Sequence, residues 1–224
     1  MDRERRDDSQ DVAGKSAYWN DFYADKARKF SLDLPSQFAL FFLGEIERGT
    51  PIVDFGCGTG RDALYFAGVG SDVVGVDGSS SAVELCREKA NDHGHHSARF
   101  VQGDLAAPET LALIRDDLRD ASPALYARFF LHAITEEAEA AFLSIASELI
   151  GESIFALEFR TSRDAQQQKT TARHYRRFVD PLDFIRRAAR YGLSPSYFVE
   201  GFGYAKFRSE DAHVARIILR RDGG

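Results

Sequence analysis

The sequence predicts an α/β fold: a doubly wound, mostly parallel sheet of seven strands with helices on both faces. Three observations lead there. From residue 51 onward, short apolar runs alternate with longer amphipathic stretches, which is how βαβ units read in a chain. The first three apolar runs each end in an aspartate, Asp54, Asp77 and Asp104, and in a parallel sheet such strand tips line up along the edge where ligands bind. The first run also leads into Gly56-Cys57-Gly58-Thr59-Gly60. Glycine at every second position lets a chain leave a buried strand in a sharp turn whose backbone stays open to a ligand.

Residues 1–14 are highly charged and contain no apolar core, so a disordered tail is expected there and not a secretory signal. Residues 15–224 are expected to form one domain, a common size for a single unit. Within it, residues 15–48 read as cap helices. Tyr18, Trp19, Phe22 and Tyr23 cluster at helical spacing, and Pro35-Ser36-Gln37 restarts a helix because proline is tolerated in a first turn. Strand one covers 51–55. The helix after it, 61–67, begins at the glycine turn, where its free N–H groups can meet a ligand carboxylate. Strand two, 72–76, precedes a helix that opens with Ser81 and Glu84, three apart as in a capping box. Strand three at 98–102, a helix at 109–118, strand four at 124–129 and a helix at 135–149 continue the alternation. Strand five at 153–159 leads into a polar insert, 161–180, then a helix at 181–191 and strands near 197–199 and 214–219.

Charge is unevenly distributed. The chain carries −6 in total, yet between Arg160 and Arg190 nine basic residues face three aspartates, a local +6. A basic segment on an acidic chain points to a local anion site more than to general nucleic-acid affinity. No apolar run approaches the roughly 18 residues of a membrane span. Cys57 and Cys86 suit a reducing cytoplasm and lack metal-ligand spacing. His93, His95 and His96 fall in the connection before strand three, away from the strand tips, and read as a solvated loop. No metal is expected.

Asp54, at the head of the glycine turn, narrows the ligand. A carboxylate there repels a diphosphate but suits a molecule with an amino group and a sulfonium, S-adenosylmethionine (SAM). The dinucleotide fingerprint G-x-G-x-x-G needs its third glycine one position later than Gly60. Asp77, 23 positions after Asp54, can accept both ribose hydroxyls, and Asp104 can accept the adenine amino group. Residues 53–62, VDFGCGTGRD, resemble the first motif of the class I SAM-dependent methyltransferases, an acid, any residue, then G-x-G-x-G. The resemblance covers roughly residues 50–160. It implies a Rossmann-like sheet and puts Gly56, Cys57, Gly58, Gly60, Gly78, Ser79 and Leu105 around the cofactor with the three aspartates. The strings YWNDFY, PSQFALFF, YARFFLHAITEE and HYRRF resemble a bacterial subset of small methyltransferases from surface-glycan and natural-product pathways. That likeness implies N-terminal helices closing over the cofactor with Tyr18, Trp19 or Tyr23 near the sulfonium, where an aromatic face attracts a cation.

The acceptor side is read from strands four and five. His132, just past strand four, either takes a proton from an attacking alcohol or amine or is a buried histidine bonded to backbone. Arg128 lies inside an apolar run and needs a partner: a substrate anion, the cofactor or Glu158. Glu158 and Arg160 share one face of strand five. His174, Tyr175, Arg176 and Arg177 follow in the insert. Arginine forks match carboxylate and phosphate oxygens two at a time, so the insert reads as an anion-recognising lid, the alternative being a solvated helix face. The expectation is a cytoplasmic SAM-dependent methyltransferase for a small anionic acceptor, oxygen ahead of nitrogen, with no nucleic-acid or membrane partner. An RNA methyltransferase, an NAD-dependent oxidoreductase and a non-catalytic SAM-binding subunit are the alternatives. The sequence carries no signal for oligomeric state.

Overall fold

A computed structural model describes residues 20–21, 34–105, 107–118, 121–166, 177–207 and 209–223. The elements are α1 (Gln37–Leu43), β1 (Ile52–Phe55), α2 (Arg61–Gly68), β2 (Val73–Asp77), α3 (Ser80–Asp92), β3 (Ala98–Gln102) and α4 (Pro108–Leu118). These are followed by β4 (Ala124–Arg128), α5 (Glu136–Leu149), β5 (Phe155–Arg160), α6 (Pro181–Ala189), β6 (Leu193–Phe207) and β7 (Glu210–Arg221). They build one seven-stranded sheet in the order β3-β2-β1-β4-β5-β7-β6. The first five strands are parallel, and β7 runs antiparallel to both β5 and β6. Order therefore reverses between β1 and β4, the point where open α/β sheets form a ligand crevice.

Strand residues alternate between two apolar layers. Val53, Phe55, Leu125, Ala127, Phe155 and Leu157 pack with Ile114 of α4, Phe142 of α5 and Phe184 of α6. Ile52, Ala124, Tyr126, Ala156 and Ile218 face Phe38 and Phe42 of α1, Phe66 of α2 and Val83 of α3. Burial on both faces explains why the strands read as continuous apolar runs. Helix starts follow local chemistry. Thr135 caps α5, accepting from the Ala138 N–H at 3.2 Å, with Glu136, Glu137 and Glu139 in the first turn. Asp180 caps α6 ahead of Pro181, accepting from the Leu182 and Asp183 N–H groups.

Three elements depart from expectation. The helix that restarts at Gln37 ends at Leu43, short of residue 48, where Gly44 closes it by donating its N–H to Phe41 O and Glu45 donates to Phe42 O. Helix α3 is capped by Ser79, not Ser81: the Ser79 side chain accepts from the Ala82 N–H, so the Ser81–Glu84 pair falls inside the helix. The last two strands are far longer than the short apolar runs suggested. They form a hairpin whose register shifts between Gly201 and Ala205. Much of β6 is exposed or half-buried as an edge strand, so no apolar run marks its length. Beyond the last β5 pairing, Arg160 with Val214, this hairpin projects past the sheet on the side of the β5 tip.

Glu139 of α5 is 1% exposed and accepts from both Arg177 and Arg187. It ties the chain entering α6 to α5. Glu139→Gln keeps the shape but removes the charge both guanidiniums face. It should cost about 1–2 kcal/mol, read as a melting temperature lower by roughly 2–8 °C for a chain of this length. An unchanged melting curve would mean that the pair contributes no net stability.

Candidate functional site

The glycine turn after β1 is held on its neighbour strand. Gly56 and Cys57 both donate their N–H to Val76 O, at 2.8 and 3.1 Å, and Gly60 N–H donates to Cys57 O at 3.0 Å. Gly56 has φ 70°, and a β-carbon there would lie 2.5 Å from Cδ2 of Phe130. Gly60, at φ 74°, is the left-handed residue from which α2 starts. A β-carbon on it would meet Cys86 Sγ at 2.9 Å. Both positions therefore need glycine for conformation and for space. The Cys86 thiol donates to Gly58 O at 3.2 Å. The Cys57 thiol is pushed well up, first by its hydrogen bond with Cys86 and then by burial. Both thiols are buried supports beneath the loop.

Asp77, at the tip of β2, accepts the Gly58 N–H on Oδ2 and the Ser79 N–H on Oδ1, each at 2.9 Å. Each oxygen keeps a second lone pair, so the carboxylate fixes the loop and still has capacity for two hydroxyls. Burial raises its pKa, opposed by these two N–H bonds. Ser79 donates its hydroxyl to Asn20 Oδ1 at 2.7 Å, linking the cap to this turn. Across the tip, Gly103 N–H donates to Asp77 O. Gly103 cannot carry a β-carbon, which would lie 2.6 Å from Thr110 Cγ2. Asp104 is exposed and Leu105 buried. Asp77→Ala should weaken SAM binding by about 1–3 kcal/mol, the range for hydrogen bonds to a charged group. Calorimetry on the folded variant measures it, and unchanged affinity would remove Asp77 from the cofactor site.

Asp54 is 3% exposed, and no group among the described residues donates a hydrogen bond to its carboxylate. Burial first, then the carboxylates of Asp62 and Asp77, push its pKa well above the ordinary value, against Arg61 and Arg128. Asp62 is its opposite. It accepts from Ser36 N–H and Ser36 Oγ at 2.8 Å, from the Tyr126 hydroxyl at 2.9 Å and from Arg61 at 3.0 and 3.1 Å. Burial alone would raise its pKa, but the Arg61 bonds and charge and the Ser36 N–H bring it below the ordinary value.

The tips of β4 and β5 form the second wall. Arg128 Nε donates to Glu158 Oε1 and Arg216 Nε to Glu158 Oε2, both at 2.8 Å. Of the three partners open to Arg128 in the sequence, Glu158 is one it meets. Phe129 follows with φ 55°, strained for a non-glycine residue. Its ring lies 4.2 Å from the Arg128 guanidinium carbon, 5.4 Å from that of Arg160, and edge-on to the His132 ring with centroids 5.7 Å apart. His132 is buried in the turn Leu131–Ala133, and its carbonyl accepts the Arg177 N–H at 2.9 Å. Arg160 donates to Asp164 at 2.8 Å and also to Glu210. Arg163 meets Glu200 at 2.7 Å.

The strand-tip residues Asp54, Gly56, Cys57, Gly58, Gly60, Asp77, Gly78, Ser79, Asp104, Leu105, Arg128, His132 and Arg160 thus lie along the C-terminal edge of the sheet. Arg177 sits behind His132, with its guanidinium on Glu139. Tyr18, Trp19, His174, Tyr175 and Arg176 lie outside the described residues. Sequence reasoning missed Asp62, Tyr126, Phe129 and Arg216. Asp62 carried a signal, an acid two residues past the last glycine. Phe129 carried none, because nothing in its type announces a left-handed conformation.

Residues 52–150 match a family profile described as a methyltransferase domain. Among curated relatives, the 23S rRNA (uracil(1939)-C(5))-methyltransferase RlmD of Pseudomonas syringae pv. tomato is 39% identical over 61 residues, 27% of this chain and 14% of that protein. The chain spans about a seventh of that relative's length. Among solved structures, the CcbJ methyltransferase of Streptomyces caelestis superposes with a TM-score of 0.69 at 19% identity, covering 92% of this chain and 98% of that one. A protein of echinomycin biosynthesis that converts a disulfide bond into a thioacetal group superposes at 0.68 with 19% identity, covering 92% of each chain. At these identities the structural likeness speaks for the fold alone. Residues 52–150 are thus similar to a methyltransferase domain, and the chain has the fold of solved methyltransferases that depend on S-adenosylmethionine. The residues fit that molecule: a buried carboxylate without a donor for its ammonium, an open glycine turn, and acids at the next two strand tips. Among the described residues, no helix is long and apolar enough to cross a membrane.

Proposed function

We propose that the chain methylates a small, negatively charged acceptor, at oxygen in preference to nitrogen, in a natural-product or surface-glycan pathway of the cytoplasm. SAM supplies an electrophilic methyl carbon on a sulfonium. Asp54 takes its ammonium, Asp77 its ribose hydroxyls and Asp104 its adenine amino group, while Gly56, Gly58 and Gly60 let the backbone approach. The observation that carries the acceptor reading is the juxtaposition of His132, Phe129 and two arginines at the β4 and β5 tips, beside the glycine turn. From a hydroxyl acceptor, His132 removes the proton as the oxygen–carbon bond forms and the carbon–sulfur bond breaks. For an acceptor already ionised, it only positions. Orientation and exclusion of water supply much of the remaining acceleration.

The anionic acceptor rests on charge. Of the basic segment, Arg160, Arg163, Arg177, Arg186 and Arg187 all face carboxylates. The sequence surplus then falls largely on Lys169, Arg173 and Arg176 of the insert, with His174 and Tyr175 between them. A fold neighbour that works on echinomycin supports a small-molecule acceptor. The local likeness to RlmD supports the RNA alternative, against the acidity of the chain. A rise in melting temperature with S-adenosylhomocysteine tests the cofactor. Transfer of labelled methyl from SAM is then screened over acidic sugars, phosphonates and carboxylic acids, their neutral analogues, and bulk RNA. Preference for a neutral analogue refutes the anionic acceptor, and label in RNA refutes the small molecule. Binding without transfer to any of them favours a non-catalytic subunit.

A further inference from the structure

We propose that Arg128 reads the amino-acid end of the cofactor, binding its α-carboxylate while Asp54 binds the ammonium. This rests on SAM being the ligand and moves Arg128 from the acceptor wall to the cofactor. Register places it there. Asp54 pairs with Tyr126, and Phe55 with Ala127, so Arg128 stands level with Gly56, the first glycine of the turn. Residues two apart share a strand face, and Arg128 therefore projects on the same face as Tyr126 and Asp54.

The bonding of Arg128 leaves it incomplete. It donates through Nε to Glu158, and its two terminal nitrogens have no hydrogen-bond partner among the described residues. Its side chain is 16% exposed, whereas that of Glu158 is wholly buried. Glu158 is shared with Arg216, whose NH2 group also donates to Tyr204 O at 2.7 Å. One carboxylate between two guanidiniums leaves one positive charge in excess, and the accessible part of it is the outer edge of Arg128. On the same face of the neighbouring strand, Asp54 offers a carboxylate with no hydrogen-bond donor among the described residues. The two together complement a zwitterion, an ammonium and a carboxylate on one carbon. In SAM the only anionic group is that carboxylate. The planar fork can grip both of its oxygens, and Glu158, fixed from the other side by Arg216, holds the fork in place.

The test compares SAM with decarboxylated SAM, which keeps the amine, sulfonium, ribose and adenine. Calorimetry on the wild-type chain should show SAM bound roughly 10- to 100-fold more tightly. Arg128→Met should erase that preference, lowering SAM affinity by about the same factor and changing decarboxylated SAM by less than about threefold. Arg128→Lys, a charge without the fork, should fall between them. Should Arg128→Met misfold because Glu158 loses a donor, Arg128→Gln, which keeps an N–H for Glu158 but neither the charge nor the fork, takes its place. Equal loss for both ligands, or a wild-type chain that does not distinguish them, overturns the clamp while leaving the cofactor reading intact. A wild-type chain that binds neither SAM nor S-adenosylhomocysteine overturns both.

Discussion

Asp54→Asn should weaken SAM binding by roughly 10- to 100-fold, the loss of a charge-assisted contact, and at the same time raise the melting temperature of the ligand-free protein. The two effects share one cause. Asp54 is buried between Asp62 and Asp77, with only Arg61 and Arg128 opposing them, and its pKa is raised well above the ordinary carboxylate value. A raised folded-state pKa means that the folded chain holds the proton more tightly than the unfolded chain. The stability this confers is fully present below the unfolded value of about 3.9 and is lost as pH rises through the folded one. Once pH exceeds the folded value the wild-type protein carries that loss, and asparagine does not. An arriving ammonium relieves the same repulsion, which couples binding to ionisation of Asp54. Melting curves at several pH values, with and without S-adenosylhomocysteine, separate the effects. A ligand-free variant that melts lower near neutrality, or unaltered SAM affinity, would show that Asp54 is not the strained charge of this site.

His132→Ala should lower turnover by roughly 100-fold or more if the acceptor is a hydroxyl, while SAM affinity holds within about threefold. The main chain of the turn is secured independently of the ring, since the His132 carbonyl accepts the Arg177 N–H. The substitution therefore removes the imidazole against Phe129 without freeing the segment. If the imidazole is the base, the pH dependence it gives the wild-type rate should be absent from the variant. Full activity across neutral pH in the variant would take His132 out of the mechanism and favour an acceptor that is already ionised.

What could be read from the chain, and what could not, follows from the range over which each feature is encoded. Asp54, Asp77 and Asp104 each end an apolar run, so local pattern sufficed to align three strand tips and name the crevice. Gly56 and Gly60 are tied to conformation by their own φ angles, again a local property. The ion pairs of Glu158 and Glu139 are not local. Glu158 is 30 residues from Arg128 and 58 from Arg216, and Glu139 is 38 from Arg177. Only the folded sheet brings them together, so Arg128 and Arg177 looked more available for an acceptor than they are. The hairpin was misjudged for a related reason. An edge strand half-open to water needs no apolar run, and its length comes from pairing with β7.

Ser36, Asp62 and Tyr126 belong to segments separated by 26 and 64 residues, and they converge on one carboxylate. Ser36 is also the cap of α1, its hydroxyl accepting the Ala39 N–H, while Asp62 stands in the first turn of the helix that the glycine turn feeds. Peeling α1 from the sheet would strip Asp62 of two of its donors and loosen the start of α2 in the same stroke. Opening of the N-terminal cover and fraying of the cofactor cradle are thus one cooperative event, a shared unit of local unfolding. Any molecule that settles into the cradle will slow exchange of backbone protons in α1, a helix it need never touch.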